Sequence, residues 1–228
     1  EKTHAMFLHH LTCEIVFQGR AVFLLDDRWY KVRGDFVQAI NEQCLLLMRA
    51  NYWSNNVMRT WNRAIQDEGD YNLAYGNDNN FTVLDTMLGQ NIELCDLMFE
   101  DETSLYLIHV KKGFNAKIRD LSNQIIISAA RLWSDVKSGR YEFVDAVLES
   151  YNNSRQGGDT IPIQDFRNRF NKEIIYVMAF NSDLVGQRRI IDNLENIRSN
   201  IAKFCLVQGV KEIQSAYYPL KIFEIENI

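Results

Sequence analysis

The residue types best suited to catalysis lie in two apolar runs near the middle of the chain. Asp96 belongs to the run ELCDL, and His109 and Lys111 belong to the next such run, LIHVK. Side chains two residues apart on a strand point to the same side, so His109 and Lys111 are expected to share a face. If the two runs pair as a hairpin, Asp96 faces this His-x-Lys pair.

The chemistry that suits such a group is metal-assisted hydrolysis of a phosphate ester. A divalent cation held by a carboxylate polarises the phosphate and lowers the pKa of a bound water, while an ammonium group stabilises the developing charge. We therefore expect Asp96 and His109 to bind Mg²⁺ or Mn²⁺, with His109 acting as second ligand or as proton acceptor. Lys111 is the expected electrostatic stabiliser. A neutral imidazole suits manganese better than magnesium.

Two further residues complete the predicted site. Glu68 follows a predicted helix and is the expected auxiliary acid, although Asp67, Asp70 and Asp85 compete for that role. Gln124 lies early in the helix predicted after the His-x-Lys run. Each residue type also has an ordinary structural explanation, because a buried Asp or His is more often a hydrogen-bonding partner within the core than a ligand.

Strands and helices around these residues must position them. Three runs with strand character, 81–88, 92–99 and 104–111, are joined by short polar connectors and are predicted to be antiparallel neighbours. A buried strand at 174–180 is expected to join the same sheet. Helical spacing predicts a helix that contains Gln124, then helices at 141–151 and 190–207, and a last strand is predicted at 220–225.

The start of the chain predicts a separate small sheet. Residues 1–34 contain three β-rich runs divided by turns, which indicates a three-stranded meander. From Asp35, placed as an N-cap, the period becomes helical, and helices are predicted to about residue 51 and over 55–67. The expected fold class is α/β, mixed α+β. The meander at 1–34 would pack on a domain at 35–228, in which helices flank the core sheet.

The layout of Asp96, His109 and Lys111 resembles the PD-(D/E)XK core, the metal-dependent nuclease fold shared by many restriction endonucleases. It is especially similar to the Mrr-type branch, in which an Asp strand leads through a short acidic turn into an apolar strand that ends in Gln-x-Lys. The resemblance implies a restriction-endonuclease-like sheet, metal ligands at positions 96 and 109, and Lys111 assisting the attacking water. It also implies Glu68 as an accessory acid. His109 departs from the Gln or Glu of that pattern.

A wider resemblance extends over most of the chain. The segments WY at 29–30, DFV at 35–37, DYN at 70–72, CDL at 95–97 and IHVKK at 108–112 are together similar to a sporadically distributed bacterial protein family of uncharacterised function. That family is typically found near restriction-modification and other defence genes, so the resemblance implies anti-phage defence as the setting. Its members are usually longer, which implies that this sequence is a part or a short version of such a protein.

Charge limits how the protein could bind DNA. The net charge of −5 means that any nucleic-acid binding must come from a local surface. Scattered solvated charge is the simpler explanation of the basic clusters taken alone. The predicted nucleic-acid-binding residues are Lys111, Lys112, Lys117, Arg119, Gln124, Arg167, Arg169, Arg188 and Arg189.

Composition and the motifs that the sequence lacks limit the compartment and the classes of enzyme to be considered. The four cysteines are far apart in apolar runs, which favours buried thiols in a reducing compartment. No stretch approaches the roughly 20 apolar residues of a membrane span, so a cytoplasmic protein without membrane contact is expected. No Walker-type loop, G-x-S-x-G elbow or H-E-x-x-H helix is present.

The sequence thus predicts a metal-dependent nuclease that acts on DNA in bacterial anti-phage defence. The alternative is a catalytically inactive module on the same fold that binds nucleic acid or protein. A third possibility is a subunit devoted to protein interaction, in which the His-x-Lys strand serves only the core. Other defence-system subunits and a second copy of the chain are the further partners considered.

Overall fold

The computed structural model describes residues 11, 13–25, 27–62, 64–155, 160–185 and 189–228. An antiparallel meander comes first, made of β1 (Cys13–Phe17), β2 (Arg20–Leu25) and β3 (Arg28–Lys31). Gln18 and Gly19 form the first turn with positive φ angles of 50° and 74°, which suits the right-handed twist of a tight hairpin. The predicted N-terminal meander is confirmed.

The remaining elements alternate helices and strands. In chain order they are α1 (Gly34–Ala50), α2 (Glu68–Leu73), β4 (Phe81–Val83), β5 (Leu88–Gly89), β6 (Ile92–Glu93), β7 (Leu97–Glu100), β8 (Ser104–Lys112), α3 (Lys117–Ser138), α4 (Glu142–Ser154), α5 (Ile163–Arg169), β9 (Glu173–Val185), α6 (Ile190–Asn193), α7 (Asn200–Ala216) and β10 (Leu220–Asn227).

Five strands form the central sheet in the order β10-β9-β8-β7-β4. β7 is antiparallel to both of its neighbours, whereas β8, β9 and β10 run parallel to one another. Residues Tyr176 to Phe180 in the centre of β9 are fully buried, which explains the continuous apolar run there. The predicted class, a mixed sheet flanked by helices and preceded by a small meander, is confirmed.

Strand β8 divides the interior into two cores. Leu107 packs in the larger core, with α3, α4 and α7, whereas Ile108 packs in a smaller aromatic core that contains Trp61. His109 faces the larger core, where its ring stacks on Tyr176 at 6.1 Å between centroids. The alternation along this strand therefore places His109 on the inner face, beneath α3.

The predicted helix at 55–67 is wrong, because the described residues of that segment form turns, bends and one isolated bridge, at Trp61. Its apolar side chains pack in the smaller aromatic core, and its backbone joins the edge strand β10 at Trp61. The N–H of Trp61 donates to the carbonyl of Glu226 at 2.7 Å, and the indole stacks on Tyr71 at 4.8 Å. Pairing with the sheet edge and aromatic packing thus outweigh the helical spacing of a short segment.

The runs at 81–88 and 92–99 contain strands, but neither is continuous. β4 and β7 pair in the main sheet as antiparallel neighbours, while β5 and β6 form a separate two-stranded hairpin. Thr86, Gln90 and Asn91 have positive φ angles of 63°, 53° and 63°, and they make the turns into and across this hairpin. Asp96 consequently lies just before β7 and not in the middle of a strand.

The helices also differ from the predictions in detail. The stretch 190–207 is divided into α6, a 3₁₀ turn and α7, because Ile197 is extended and Ser199 caps α7 by accepting the N–H of Ala202 at 3.3 Å. Asp35 lies in the first turn of α1, whose N-cap is Arg33. None of the helices in the described part of the chain combines the length and apolar character needed to cross a membrane.

Candidate metal centre

Asp96 is fixed against β8 by its backbone and by its side chain. Its N–H donates to the carbonyl of Ile108 at 3.0 Å, and its Oδ2 accepts the N–H of Val110 at 2.6 Å. The residue is only 8% exposed. Ile108 and Val110, the neighbours of His109 in β8, therefore hold Asp96 beside His109.

His109 is fully buried, and neither ring nitrogen has a hydrogen-bond partner. The nearby carbonyl of Leu94 accepts the hydroxyl of Ser128 at 2.7 Å and makes no well-formed hydrogen bond with the ring. Burial lowers the pKa of His109 to about 4, and Lys111 adds to the lowering while the Leu94 carbonyl opposes it. The imidazole is thus neutral near pH 7, with a lone pair available to a ligand.

Glu93 completes a group of three possible metal ligands. One carboxylate oxygen of Glu93, one of Asp96 and one ring nitrogen of His109 all lie within 4.8 Å of one another. Glu93 is half-buried, and its Oε1 accepts the N–H of Thr86 at 2.7 Å. Two hard oxygen donors and one imidazole nitrogen form a set that binds divalent cations such as Mn²⁺ or Zn²⁺.

Sequence reasoning missed Glu93 for a definite reason. In a regular strand, residues three apart such as Glu93 and Asp96 point to opposite faces. The break between β6 and β7 removes that alternation and brings both carboxylates to one side. The available signal was the acid placed just ahead of Asp96 in the same short run.

Burial and a neighbouring acid raise the pKa of both carboxylates. Burial raises the pKa of Asp96 well above its usual range, and the neighbouring Glu93 raises it further. Burial also raises the pKa of Glu93, against the lowering effect of the Thr86 N–H, and Asp85 adds to the rise. A bound cation would supply the positive charge that this buried pair lacks.

Lys111 and Glu68 are brought together at the end of β8. The ammonium of Lys111 donates to Oε2 of Glu68 at 3.0 Å, and the other carboxylate oxygen accepts the N–H of Lys112 at 2.9 Å. Both oxygens of Glu68 are therefore engaged by β8. The charge of Lys111 opposes the rise in the pKa values of Glu93 and Asp96, so this ammonium acts on the same cluster.

Glu93 also connects the cluster to solvent. It lines an open cavity of about 260 Å³ together with Leu88, Asn91 and the exposed Gln124. The structure thus brings Gln124 to the mouth of the site, on the outer side of α3. Asp96 and His109 lie deeper, beneath Glu93.

The basic residues that follow Lys111 along the chain have different surroundings. The ammonium of Lys112 donates to the carbonyl of Gln66 at 2.6 Å and lies over the ring of Trp61. Lys117 is exposed at the start of α3. Arg119 lines a different cavity, between α3 and the N-terminal meander. Of these cations, Lys111 is the one whose charge acts on Glu93 and Asp96.

Other predicted DNA-binding residues lie away from the cluster. Arg167 donates to Asp145 on α4 at 2.8 Å, and Arg169 donates to Thr82 on β4 at 2.9 Å. Arg189 lies beyond the other edge of the sheet, where it donates to the hydroxyl of Tyr52 at 2.9 Å. Arg188 falls outside the described residues. The structure does not bring these arginines together with Lys111.

Comparisons with known proteins identify the family without identifying an activity. No curated protein and no solved structure matches the chain. The nuclease signature and the defence setting therefore remain predictions. A family model described as a family of unknown function, DUF6119, matches residues 1–222. This match covers nearly the whole sequence, so the protein belongs to the DUF6119 family.

Proposed function

We propose that the protein is a metal-dependent nuclease that cleaves DNA, in the setting of bacterial anti-phage defence. Glu93, Asp96 and His109 hold its divalent cation. The observation that carries the proposal is the state of His109, a wholly buried imidazole with two unpartnered nitrogens beside two carboxylates. A buried polar group without a partner costs about 1 to 3 kcal/mol, and a cation bound to the unprotonated nitrogen would remove that cost for one of the two.

Each residue around the cation has a distinct role in this proposal. A bound cation polarises the scissile phosphate and lowers the pKa of a coordinated water. Glu93 and Asp96 give it two oxygen ligands and His109 one nitrogen, a set that suits Mn²⁺ better than Mg²⁺. Lys111 stabilises negative charge on the phosphate. Glu68, whose two oxygens are already engaged, positions Lys111 and is not itself a ligand.

The order of the elements supports the same proposal. A helix that begins at Glu68 is followed by antiparallel strands that carry Asp96 and Lys111 at the same end of the sheet. A helix and the parallel strand β9 come next. This order is similar to the succession that the PD-(D/E)XK resemblance implies, except that Asp96 precedes β7 and does not lie within a strand.

A non-catalytic module on the same scaffold is the second candidate. It is favoured by burial, because Asp96 is 8% exposed and His109 is not exposed at all. A cation at this depth would tie the β5–β6 hairpin, which carries Glu93, to β7 and β8. In that case the metal stabilises a surface that binds nucleic acid or protein, and it activates no water.

Substitution of Asp96 and Lys111 tests the nuclease directly. Wild-type protein should cleave plasmid DNA with Mn²⁺, whereas Asp96→Asn and Lys111→Ala should lower the rate by about 100-fold or more, because each removes stabilisation of the transition-state charge. Glu102→Gln is the matched control, since Glu102 is an exposed acid in the loop before β8. Cleavage is followed on agarose gels, and folding by circular dichroism.

Metal binding separates the two candidates. Mn²⁺ should raise the melting temperature of the wild type and of Lys111→Ala, but not that of Asp96→Asn, because binding only to the folded state stabilises it. His109→Gln should retain a site and shift its preference towards Mg²⁺. Stabilisation by metal without cleavage by any divalent cation would favour the non-catalytic module. No response of the wild type to metal would refute both the site and the nuclease.

A further inference from the structure

The β5–β6 hairpin supplies one of the three possible metal ligands, yet it is too short to fix its own position. Each of its strands has two residues, and within the described part of the chain the two strands pair only with each other. Glu93 lies on β6, directly opposite Leu88 of β5. Isolated two-stranded hairpins are marginally stable in water. Contacts with neighbouring elements must therefore determine where Glu93 lies.

The position of this hairpin matters because the other two ligands are fixed independently of it. Asp96 is bonded to β8 through its backbone and side chain, and His109 belongs to β8. Bonds between divalent cations and carboxylate oxygens are about 2.1 Å long. A displacement of the hairpin by about 1 Å is large against that length. It would take Glu93 out of reach of a cation held by Asp96 and His109.

Gly89 lets the hairpin lie directly on α4. It is buried, and a Cβ atom at this position would meet the carbonyl oxygen of Phe143 and Cγ2 of Val147, both at 2.8 Å. The Phe143 oxygen belongs to the backbone of the first turn of α4, so it cannot rotate away as a side chain could. Only glycine allows two segments of the chain to approach this closely.

The surface beneath Gly89 is itself held in place. The N–H of Phe143 donates to Oδ2 of Asp135 on α3 at 3.0 Å, which ties the start of α4 to the end of α3. The hairpin therefore rests on a fixed corner between two helices of the main core.

Arg131 of α3 holds the turn of the hairpin against the same corner. Its Nε and Nη2 donate to Oε1 of Gln90 at 2.9 and 2.6 Å, and its guanidinium lies over the ring of Phe143. Gln90 and Asn91 form the turn with φ angles of 53° and 63°. Glutamine disfavours this left-handed conformation, so the bonds from Arg131 stabilise a turn that the sequence alone supports poorly.

We propose that Gly89 and Arg131 are positioning residues of the metal centre, which hold the hairpin on the corner of α3 and α4 so that Glu93 meets the cation bound by Asp96 and His109. Gly89 acts by leaving room for the close approach, and Arg131 acts through Gln90. The inference rests on the metal site of the proposed function, but it concerns the binding of the cation and does not depend on cleavage. Groups that orient metal ligands commonly contribute 10- to 100-fold to metal affinity.

The affinity of the full chain for Mn²⁺ tests this role, measured from the electron paramagnetic resonance signal of the free ion. Gly89→Ala should weaken binding about tenfold, because the added methyl group pushes β5 away from α4. Arg131→Met should weaken it about threefold, since the contact with Gln90 is exposed. Arg131→Lys, which retains a donor, should restore part of the loss. Lys137→Met removes an exposed cation from the same helix and should leave the affinity unchanged.

Combination with Glu93→Gln separates positioning from general loosening of the fold. If Arg131 acts through Glu93, Arg131→Met should weaken Mn²⁺ binding in the wild type but not further in Glu93→Gln. Circular dichroism with chelator present checks folding. Arg131→Met alters an exposed contact, so it keeps the test valid even if Gly89→Ala fails to fold.

The outcomes distinguish this inference from the proposed function. Unchanged Mn²⁺ affinity in folded Arg131→Met, or an equal loss in the wild-type and Glu93→Gln backgrounds, would overturn the positioning role and leave the metal site standing. Absence of Mn²⁺ binding by the wild type would overturn the metal site and the positioning role together.

Discussion

At the scale of single residues, His109 is the side chain whose surroundings need the most explanation. A buried histidine in a protein core normally donates from one ring nitrogen and accepts at the other. His109 does neither, while Ser128 and Tyr176 beside it satisfy each other at 2.8 Å. An imidazole that is kept neutral has a lone pair for a cation, and a histidine must be neutral before it can bind a metal.

The same burial predicts a measurable loss of stability in acid. The pKa of His109 falls from 6.5 in the unfolded chain to about 4 in the folded protein. Above pH 6.5 the imidazole is neutral in both the folded and the unfolded states. As the pH falls from 6.5 towards 4, the unfolded chain binds a proton that the folded protein does not, so stability is lost over this range. The loss attributable to His109 should reach about 3 kcal/mol at pH 4.

Comparison with His109→Gln isolates this effect, because both proteins retain Asp96 and Glu93, whose raised pKa values act in the opposite direction. Urea unfolding at pH 7 and pH 4, with chelator present, should show the wild type losing more stability than the variant. Equal losses in the two proteins would mean that His109 is solvated or hydrogen-bonded in solution.

At the scale of elements, the spacing of apolar residues predicted the features that follow from regular strands and helices. The β7–β8 pairing, the shared face of His109 and Lys111, and the buried strand β9 all follow from alternation or from a continuous apolar run. A turn between these two runs was predicted, but the separation of β5 and β6 from β4 and β7 was not, because the residue pattern gives no sign of the breaks after β4 and β6. That hairpin is also what brings Glu93 to the site, so the missed element and the missed ligand have one cause.

The junction of α3 and α4 provides a stability prediction at this scale. Asp135, near the end of α3, is 2% exposed, and its Oδ2 accepts the N–H groups of Phe143 and Val144 at 3.0 and 3.1 Å. It thereby satisfies two donors in the first turn of α4, whose N-cap residue makes no side-chain bond of this kind.

Asp135→Ala should therefore cost about 1 to 3 kcal/mol, because two buried donors lose their acceptor. Asp135→Asn, which keeps a carbonyl oxygen, should cost less. Asp120→Ala, at an exposed position of the same helix, should change stability by less than about 0.5 kcal/mol. Denaturant unfolding of the three variants measures these differences. A small effect of Asp135→Ala would show that water reaches the start of α4.

At the scale of the whole molecule, the distribution of charge restricts how DNA could approach. The chain is acidic overall, with a net charge of −5, and the predicted basic surface is divided. Arg167 and Arg169 bind partners on α4 and β4, and Arg189 lies beyond the far edge of the sheet. Lys111, at the end of β8, acts on the acidic cluster, Lys112 follows it in the same strand, and Lys117 is exposed at the start of α3.

This arrangement predicts weak and salt-sensitive DNA binding through few phosphate contacts. If Lys111, Lys112 and Lys117 are the residues that neutralise phosphates, the logarithm of the affinity should fall against the logarithm of salt concentration with a slope of about −3. Lys117→Gln should reduce the magnitude of that slope by about 1, since one released counterion is lost. Arg140→Gln, at an exposed position after α3, is the matched control and should leave the slope unchanged.

Fluorescence anisotropy of a labelled duplex in the presence of Ca²⁺, which occupies oxygen-rich sites without supporting most metal-dependent cleavage, measures the affinity. A slope near −6 would mean that the distant arginines also contact DNA and that the duplex wraps around the sheet edge. Absence of binding at low salt would remove DNA as the substrate and leave a protein-binding module as the better description.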